Sequence, residues 1–500
     1  MDIKRAKQEI KDAAAAYFLK NEFGEYELPT VRQRPILLIG APGIGKTQIM
    51  EQVARECGLG LVSYTITHHT RQSAIGLPYI SKNEYDGKTY EVTEYTMSEI
   101  VASVYEKMKE TGLKEGILFL DEINCVSETL APAMLQFLQC KSFGNHKIPE
   151  GWMIVAAGNP PEYNKSVREF DMVTMDRVKK IEVEPEFSVW KDYAYRENVH
   201  GAVLSYLNTK PAYFYQMEMT VDGMYFATPR GWEDLSRVVQ IYEKLGKSVD
   251  REVVEQYIQY PKIAKDFANY LELYYKYRTD YQIDAALSGQ VDEILLKKIR
   301  HASLDERLSV VSLVLAKLTE AFRMVYRLEE QTSLLFECLK AYKSGLSYAE
   351  NGIAFFEMIL RETEETYAEK KKSALLNREE DYACRKTIEK LEQYQTALKA
   401  EGLEEKDACF EKIRECFAKE KEAYIDAMDE AGKKLEYAFD FMEILFGESQ
   451  EMAVFMTELN ANFYSVQFLK EYECDRYYQH NKNLLFDEKE ENILKRIERL

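Results

Sequence analysis

Proline is missing from the last part of the chain. All twelve prolines of the 500-residue sequence lie between Pro29 and Pro261, so residues 262–500 contain none of this helix breaker. The same region is rich in Ala, Leu, Glu and Lys, which favour helices. A mainly β structure is therefore disfavoured there, and long helices are predicted, as a helical bundle or as antiparallel hairpins.

Long apolar runs and paired cysteines are also lacking. No run approaches the ~20 apolar residues that cross a bilayer, and Met1-Asp2-Ile3-Lys4 leads into a charged helix rather than a signal peptide. The eight cysteines include no C-x-x-C pair and no Cys/His cluster at zinc spacing. We therefore expect a cytoplasmic protein with reduced thiols and without a membrane partner.

Positive charge is scarce. The chain has 66 Lys and Arg against 85 Asp and Glu, a net charge of −19. Because sequence-independent binding of nucleic acid requires clustered Lys and Arg, the composition argues against a nucleic-acid partner. The length predicts two to four domains at ~150 residues each.

One glycine-rich motif stands out in the first half. It fits G-x-x-x-x-G-K-[ST] between an apolar run and a potential helix, and it consists of Gly40, Ala41, Pro42, Gly43, Ile44, Gly45, Lys46 and Thr47. Its glycines permit a tight turn whose N–H groups converge on a phosphate at the positive end of the following helix. We predict an ATP site here, with Lys46 on the β- and γ-phosphates, Thr47 on Mg²⁺ and Gln48 in the first helical turn. The alternative is a chance glycine-rich turn.

Two further apolar runs end in polar side chains. Asp121 and Glu122 follow Ile117–Leu120, where Asp121 can bind the Mg²⁺ complex and Glu122 can polarise the attacking water. Asn159 follows Met153–Ala157 and could orient that water or contact the γ-phosphate. A simple Asn-Pro turn is the alternative for Asn159.

Short apolar segments alternate with potential helices through the first half. The predicted strands are Ile36–Ile39, Leu61–Thr67, Ile117–Leu120, Met153–Ala157 and Lys180–Val183. The predicted helices are Gln48–Glu56, Met97–Glu110 and Thr129–Leu138, and a hairpin is predicted near 79–92 around Asp86-Gly87. This order predicts an α/β P-loop core whose parallel sheet is covered by helices and binds ligands at the carboxyl ends of its strands.

Five motifs together resemble the MoxR family of AAA+ ATPases, over about residues 25–245. They are Gly40 to Thr47, Leu120-Asp121-Glu122-Ile123-Asn124, Ala156-Ala157-Gly158-Asn159-Pro160, Met175-Asp176-Arg177 and Thr228-Pro229-Arg230.

The resemblance implies roles for two arginines. Arg177 would be an arginine finger that enters a neighbouring subunit's site, and Arg230 would be the sensor-2 arginine at the start of a lid helix. Val178 departs from the family's Asp-Arg-Phe, which puts the packing of the finger in doubt. A surface charge beside Lys179 is the alternative for Arg177, and a helix-start salt bridge is the alternative for Arg230.

The resemblance also implies partners. It implies a homo-oligomer, a hexameric ring, that remodels or matures a protein client, often with a partner bearing a von Willebrand factor A domain. Two other functions stay open: a nucleotide-gated binding module with negligible turnover, and a DNA-associated AAA+ ATPase.

The predicted domains are an AAA+ core at 1–185, a helical lid at 186–260 and an all-α domain at 261–500. Capping boxes at Ser303-x-x-Glu306 and Ser347-x-x-Glu350 predict two helix starts, and the helix ends are predicted at Gly345, Gly402 and Gly447. The helical domain is either a recognition or scaffold element or a set of helices that only bury one another.

Overall fold

The computed structural model describes residues 1–68, 70–143, 145–163, 167, 170–221 and 223–482. The chain forms two compact units. The first unit comprises Met1–Trp190, Thr228–Arg230 and Ala368–Asn377; the second comprises Lys191–Ala227, Gly231–Tyr367 and the chain from Arg378 onward. The predicted boundaries at 185 and 260 remain predictions.

The first unit is built on short strands and the helices between them. Its strands are β1 (Ile36–Gly40), β2 (Gly60–Thr65), β3 (Pro78–Tyr85), β4 (Lys88–Tyr95), β5 (Gly116–Asp121), β6 (Ser142–Phe143), β7 (His146–Lys147), β8 (Trp152–Gly158) and β9 (Lys179–Val183). Its helices are α1 (Ile3–Tyr17), α2 (Lys46–Cys57), α3 (Arg71–Ile75), α4 (Glu99–Thr111), α5 (Ala131–Cys140) and α6 (Met172–Met175).

Five of these strands form one parallel sheet in the order β2-β5-β8-β1-β9. β1 lies between β8 and β9, with Ile36 opposite Val155 on one side and Lys179 on the other. The apolar residues of β5 are completely buried, as in a sheet covered on both faces. The prediction of an α/β core with a parallel sheet is confirmed, and β3 pairs with β4 as the predicted hairpin.

The second unit is mainly helical. Its helices are α7 (Phe187–Arg196, whose C-terminal part belongs here), α8 (Gly201–Thr209), α9 (Pro229–Lys244, from Gly231 onward), α10 (Arg251–Tyr257), α11 (Pro261–Asp280), α12 (Ile283–Ala286), α13 (Glu293–Arg300), α14 (Leu304–Gly345), α15 (Gly352–Lys372, up to Tyr367), α16 (Arg378–Ala400), α17 (Lys406–Phe446), α18 (Gln450–Ala461) and α19 (Phe463–Glu471). A hairpin of β10 (Gln216–Thr220) and β11 (Gly223–Ala227), which the sequence analysis did not predict, lies between α8 and α9.

Helix α14 packs against α8, which lies in the region predicted as a lid, and against α11, which lies in the predicted all-α domain. A Cβ on Gly201 of α8 would lie 3.2 Å from the Cβ of Ala316 on α14, so the two helices approach closely. The Tyr270 hydroxyl of α11 lies 2.5 Å from the Ser205 hydroxyl and accepts a hydrogen bond from the Ser309 hydroxyl at 3.3 Å. Residues on both sides of the predicted boundary at 260 therefore share one packed interior.

One of the two helix starts predicted from capping boxes is wrong. Ser303 caps α14 by accepting a hydrogen bond from the Glu306 N–H, as predicted. Ser347 starts no helix: α15 begins at Gly352, and the Asn351 side chain accepts from the N–H groups that follow it. An Asn directly before the first turn captures these N–H groups, while Ser347 and Glu350 lie in the preceding turn.

The predicted helix ends agree with the structure. Helix α14 ends at Gly345, and Gly402 and Gly447 follow the last residues of α16 and α17 with φ angles of +60° and +54°. No helix in the described part of the chain has the length and apolarity needed to span a bilayer.

Candidate functional site

The glycine-rich motif forms the turn between β1 and α2. Gly43 and Gly45 have φ angles of +77° and +96°, in the left-handed region that favours glycine. A Cβ on Gly40 would lie 2.7 Å from the Val183 carbonyl oxygen, so a larger residue would not fit. Gly45 precedes α2, and no described side chain caps this helix end. The N–H groups at its start are therefore available to an anion.

The remaining loop residues frame this turn. Ala41 and Ile44 are buried, whereas Pro42 and Gln48 are half-buried. The predicted nucleotide-binding residues are thus contiguous at the carboxyl end of β1.

Lys46 is buried at the base of the turn. Its Nζ donates to the carbonyl oxygens of Gly40 and Ala41 at 2.7 and 2.9 Å, and to Oδ1 of Asn159 at 2.8 Å. Burial lowers the pKa of Lys46 to about 8; nearby Asp121 opposes this shift and Arg230 adds to it. Among the described residues, only neutral oxygens lie within hydrogen-bonding distance of this ammonium group. A phosphate would supply the missing negative charge.

Thr47 and Asp121 are the two predicted metal ligands. The Thr47 hydroxyl donates to Oδ2 of Asp121 at 3.1 Å, which brings a hydroxyl and a carboxylate together beside the phosphate loop. Both are oxygen ligands of the kind that Mg²⁺ prefers. The donor set fits a magnesium–nucleotide complex, with these two residues as the protein's contribution.

Glu122 adopts a left-handed backbone conformation, with φ of +56°. Its N–H donates to Oδ1 of Asp121 at 2.9 Å, and its Oε2 accepts from the Thr67 hydroxyl at 2.9 Å. Thr67 was predicted only as the end of a strand. Thr65 at the end of β2 pairs with Asp121 in the sheet, so Thr67, just beyond β2, lies next to the acidic pair. A polar residue directly after the neighbouring strand is the signal by which Thr67 could have been recognised.

Asn159 follows β8, and its Oδ1 accepts a hydrogen bond from Lys46. Asn124 contacts its backbone twice: Asn124 Nδ2 donates to the Asn159 carbonyl at 2.7 Å, and Asn124 Oδ1 accepts from the Asn159 N–H at 3.3 Å. Asn124 is 5% exposed. Its contact with Asn159 cannot be predicted from the sequence alone, because contact between two loops that follow different strands requires the sheet order.

Arg230 lies beside the phosphate loop of its own chain. Its N–H donates to the Gly43 carbonyl at 3.2 Å, and Thr228 lies 3.1 Å from a Cβ placed on Gly43. Its positive charge lowers the pKa of Lys46 further, so the arginine is electrostatically coupled to the site.

Arg177 lies at the opposite edge of the sheet. It precedes β9, whose first residue, Lys179, pairs with Ile36 at the start of β1, whereas the phosphate loop follows the end of β1. At ~3.3 Å per residue, β1 separates the two by roughly 13 Å, which exceeds the reach of an arginine side chain. Arg177 is exposed and donates to Gln139, while Val178 is buried in the core. The structure therefore does not bring Arg177 to its own chain's phosphate loop.

The fold and the site together define a P-loop nucleotide-binding domain. Within that class, residues 35–178 match the family model of the AAA domain (dynein-related subfamily). This part of the chain is therefore an AAA+ domain, a class that binds and hydrolyses ATP. No curated protein is significantly similar to the chain.

Proposed function

We propose that the protein is a MoxR-type AAA+ ATPase that works as a homo-oligomeric ring on a protein client. The observation that carries ATP binding is the Lys46 ammonium group, which is buried in a glycine turn and whose hydrogen-bond partners among the described residues are all neutral. Burying a cation without an anion is unfavourable, and the γ- and β-phosphates of ATP would relieve that cost.

The remaining roles follow from the positions of the side chains. Thr47 and Asp121 hold the magnesium ion that accompanies ATP, and this ion supplies charge neutralisation. Glu122 accepts the proton of the attacking water on Oε1, while the Thr67 hydroxyl holds Oε2. Asn159 orients that water from the adjacent strand.

Arg177 acts on the ATP of a neighbouring copy. The register of β9 against β1, the exposed guanidinium and its neutral partner Gln139 support this role. An arginine at the γ-phosphate can accelerate phosphoryl transfer by ~10³–10⁵. The same geometry supports assembly of the active site between copies of the chain.

The hexameric ring, the protein client and the partner with a von Willebrand factor A domain rest on the MoxR resemblance. The helical second unit is the proposed surface for such partners. The catalytic set of Glu122 and Arg177 argues against a nucleotide switch with negligible turnover, and the net charge of −19 argues against a DNA-associated role.

Turnover per chain measured against protein concentration tests this function. The rate should rise through the concentration range in which the protein assembles. Arg177→Ala and Glu122→Gln should each be inactive. Their mixture should regain part of the activity, because an interface between the two variants can combine Glu122 of one copy with Arg177 of the other. A rate that is flat across assembly, without rescue at any mixing ratio, would remove the shared site, and stimulation by DNA would favour the DNA-associated alternative.

A further inference from the structure

The loop after β5 and the loop after β8 are joined by one side chain. The Asn124 carboxamide makes both hydrogen bonds that the Asn159 backbone offers, at 2.7 and 3.3 Å. The Ile123 N–H also donates to the Ala157 carbonyl at 2.9 Å, so the two loops run side by side at this point. Because Asn124 is buried, water does not compete for these bonds.

Gly158 leaves the space that this contact needs. A Cβ on Gly158 would lie 2.6 Å from Oδ1 and 2.8 Å from Cγ of Asn124. The φ angle of Gly158 is not in the left-handed region, so its backbone would accept alanine. The glycine is therefore required by the carboxamide beside it and not by its own backbone.

Asn159 has a second contact that must change during the proposed reaction. Its Oδ1 accepts from Lys46, and Lys46 must turn to the phosphates when ATP binds. Once this bond is lost, the contacts from Asn124 are what fixes the Asn159 backbone next to the phosphate loop.

We propose that Asn124 is a positioning residue for ATP hydrolysis, which holds Asn159 in its working position after Lys46 has moved to the nucleotide. This inference rests on the proposed function and extends it. Asn124 itself touches neither nucleotide nor water; it acts through Asn159. Its side chain therefore contributes to the rate of the chemical step and little to ATP affinity.

A double-mutant cycle on the full chain tests the proposal. Asn124→Ala should lower kcat by roughly 10- to 100-fold, since small displacements of positioning groups have effects of this size, and should leave KM almost unchanged. In an Asn159→Ala background, the same substitution should lower kcat by less than about twofold further. Gly158→Ala should reproduce the Asn124→Ala phenotype, because it displaces the carboxamide.

Gln33→Ala is the matched control. Gln33 is also a buried amide, which donates to the carbonyl oxygens of Tyr17 and Leu28 at 3.0 Å. Its loss should lower the free energy of unfolding without coupling to Asn159→Ala. If Asn124→Ala and Asn159→Ala multiply independently, or if Asn124→Ala behaves as Gln33→Ala does, Asn124 is structural and the proposal is overturned.

Crystal structures distinguish failure of the Asn124 positioning role from failure of the proposed ATPase function. An inactive wild-type chain would contradict ATP hydrolysis. Even then, a crystal structure of Asn124→Ala would test the positioning role, through the position of the Asn159 side chain relative to Lys46. Displacement of Asn159 supports the positioning role, and an unchanged Asn159 overturns it.

Discussion

Buried charges have different partners in the two units. In the first unit, Lys46 is surrounded by neutral oxygens. In the second unit, the Glu379 carboxylate accepts from Arg323 and from Arg327, the latter at 2.5 Å, and the Glu458 carboxylate accepts from Lys191 and Tyr195. The second unit thus pairs these charges internally, whereas the described hydrogen-bond partners of two buried lysines of the first unit, Lys46 and Lys141, are neutral oxygens.

The difference separates charges that bind from charges that hold helices together. A buried ion without a charged partner is unfavourable, and at Lys46 a bound phosphate would offset that cost. A fully paired buried ion has little left to offer a ligand, and removal of one member leaves the other uncompensated. Removing the charge should therefore impair nucleotide binding in the first unit and stability in the second.

The largest effect on ATP hydrolysis is expected at Arg177, an exposed cation of the first unit that donates to the neutral Gln139. Arg177→Ala should lower kcat about 10³-fold, because the transition-state charge loses a guanidinium, and should leave ATP affinity unchanged. Steady-state ATPase assays and nucleotide titrations measure the two quantities. Lys180→Ala, which removes an exposed cation nearby, is the control. Equal losses in the two variants would make Arg177 an ordinary surface charge.

Lys46→Met should weaken ATP binding by roughly 300-fold, since it removes charge-assisted hydrogen bonds at about 1.5–3 kcal/mol each. The same variant should unfold at an equal or higher urea concentration at pH 7, because the uncompensated charge is gone. Isothermal titration and urea denaturation give the two values. Intact affinity together with a large loss of stability would reverse the comparison between the units.

Glu379→Ala should lower the free energy of unfolding by about 3 kcal/mol, because the buried Arg323 and the half-buried Arg327 are left without their shared carboxylate. Urea denaturation of the full chain is the measurement, and ATP affinity should not change. Glu389→Ala on the same helix removes an exposed carboxylate that pairs with Lys386, and no change is expected. If both variants unfold alike, the buried pairs contribute nothing particular.

Above pH 8, ATP affinity should fall by up to tenfold per pH unit, because Lys46 has a pKa of about 8 and must then take up a proton to bind phosphate. Calorimetry in buffers of different ionisation enthalpy should show this proton uptake in the wild type and not in Lys46→Met. Proton uptake that persists in the variant would belong to another group.

Stability should show the same titration with a fixed sign. The folded-state pKa of about 8 lies below the ordinary value of 10.5, so the unfolded chain binds the proton more tightly. The penalty is complete below pH 8 and is relieved as the pH rises towards 10.5. The wild type should therefore gain stability relative to Lys46→Met over this range, and a parallel pH dependence of the two would contradict the assignment.

The smallest effects distinguish two serines in the second unit. Ser303→Ala should lower the free energy of unfolding by about 1 kcal/mol, because the Glu306 N–H loses its cap. Ser347→Ala should have no measurable effect, since Asn351 caps α15. Urea denaturation of both variants checks this contrast, and a larger loss in Ser347→Ala would restore the second capping box.

These examples also show what the sequence could predict. A phosphate loop requires particular backbone angles and residue types at fixed spacing, so Gly43, Gly45 and Lys46 can be recognised from the sequence alone. The five strands of the sheet were predicted to within a few residues because buried parallel strands are short and apolar throughout.

Other features depend on neighbours that are distant in sequence. Asn124 and Thr67 are brought to their partners by the strand order. The start of α15 depends on whether Ser347 or Asn351 accepts from the N–H groups of the first turn. The β10–β11 hairpin was missed although the sequence there contains Asp222-Gly223, the same dipeptide that indicates the hairpin around Asp86-Gly87.

The close approach of Gly201 to Ala316 has a mechanical consequence. With no room between α8 and α14 at this point, a rotation of α8 must carry the long helix with it. From residue 316 to its end at Gly345, α14 extends roughly 45 Å at 1.5 Å per residue, so a turn of about 10° at α8 would move the far end by about 8 Å. A slight tilt near Ala316 would therefore displace the far end of α14 by several ångströms, together with α15, α16 and α17, which share a core with that end.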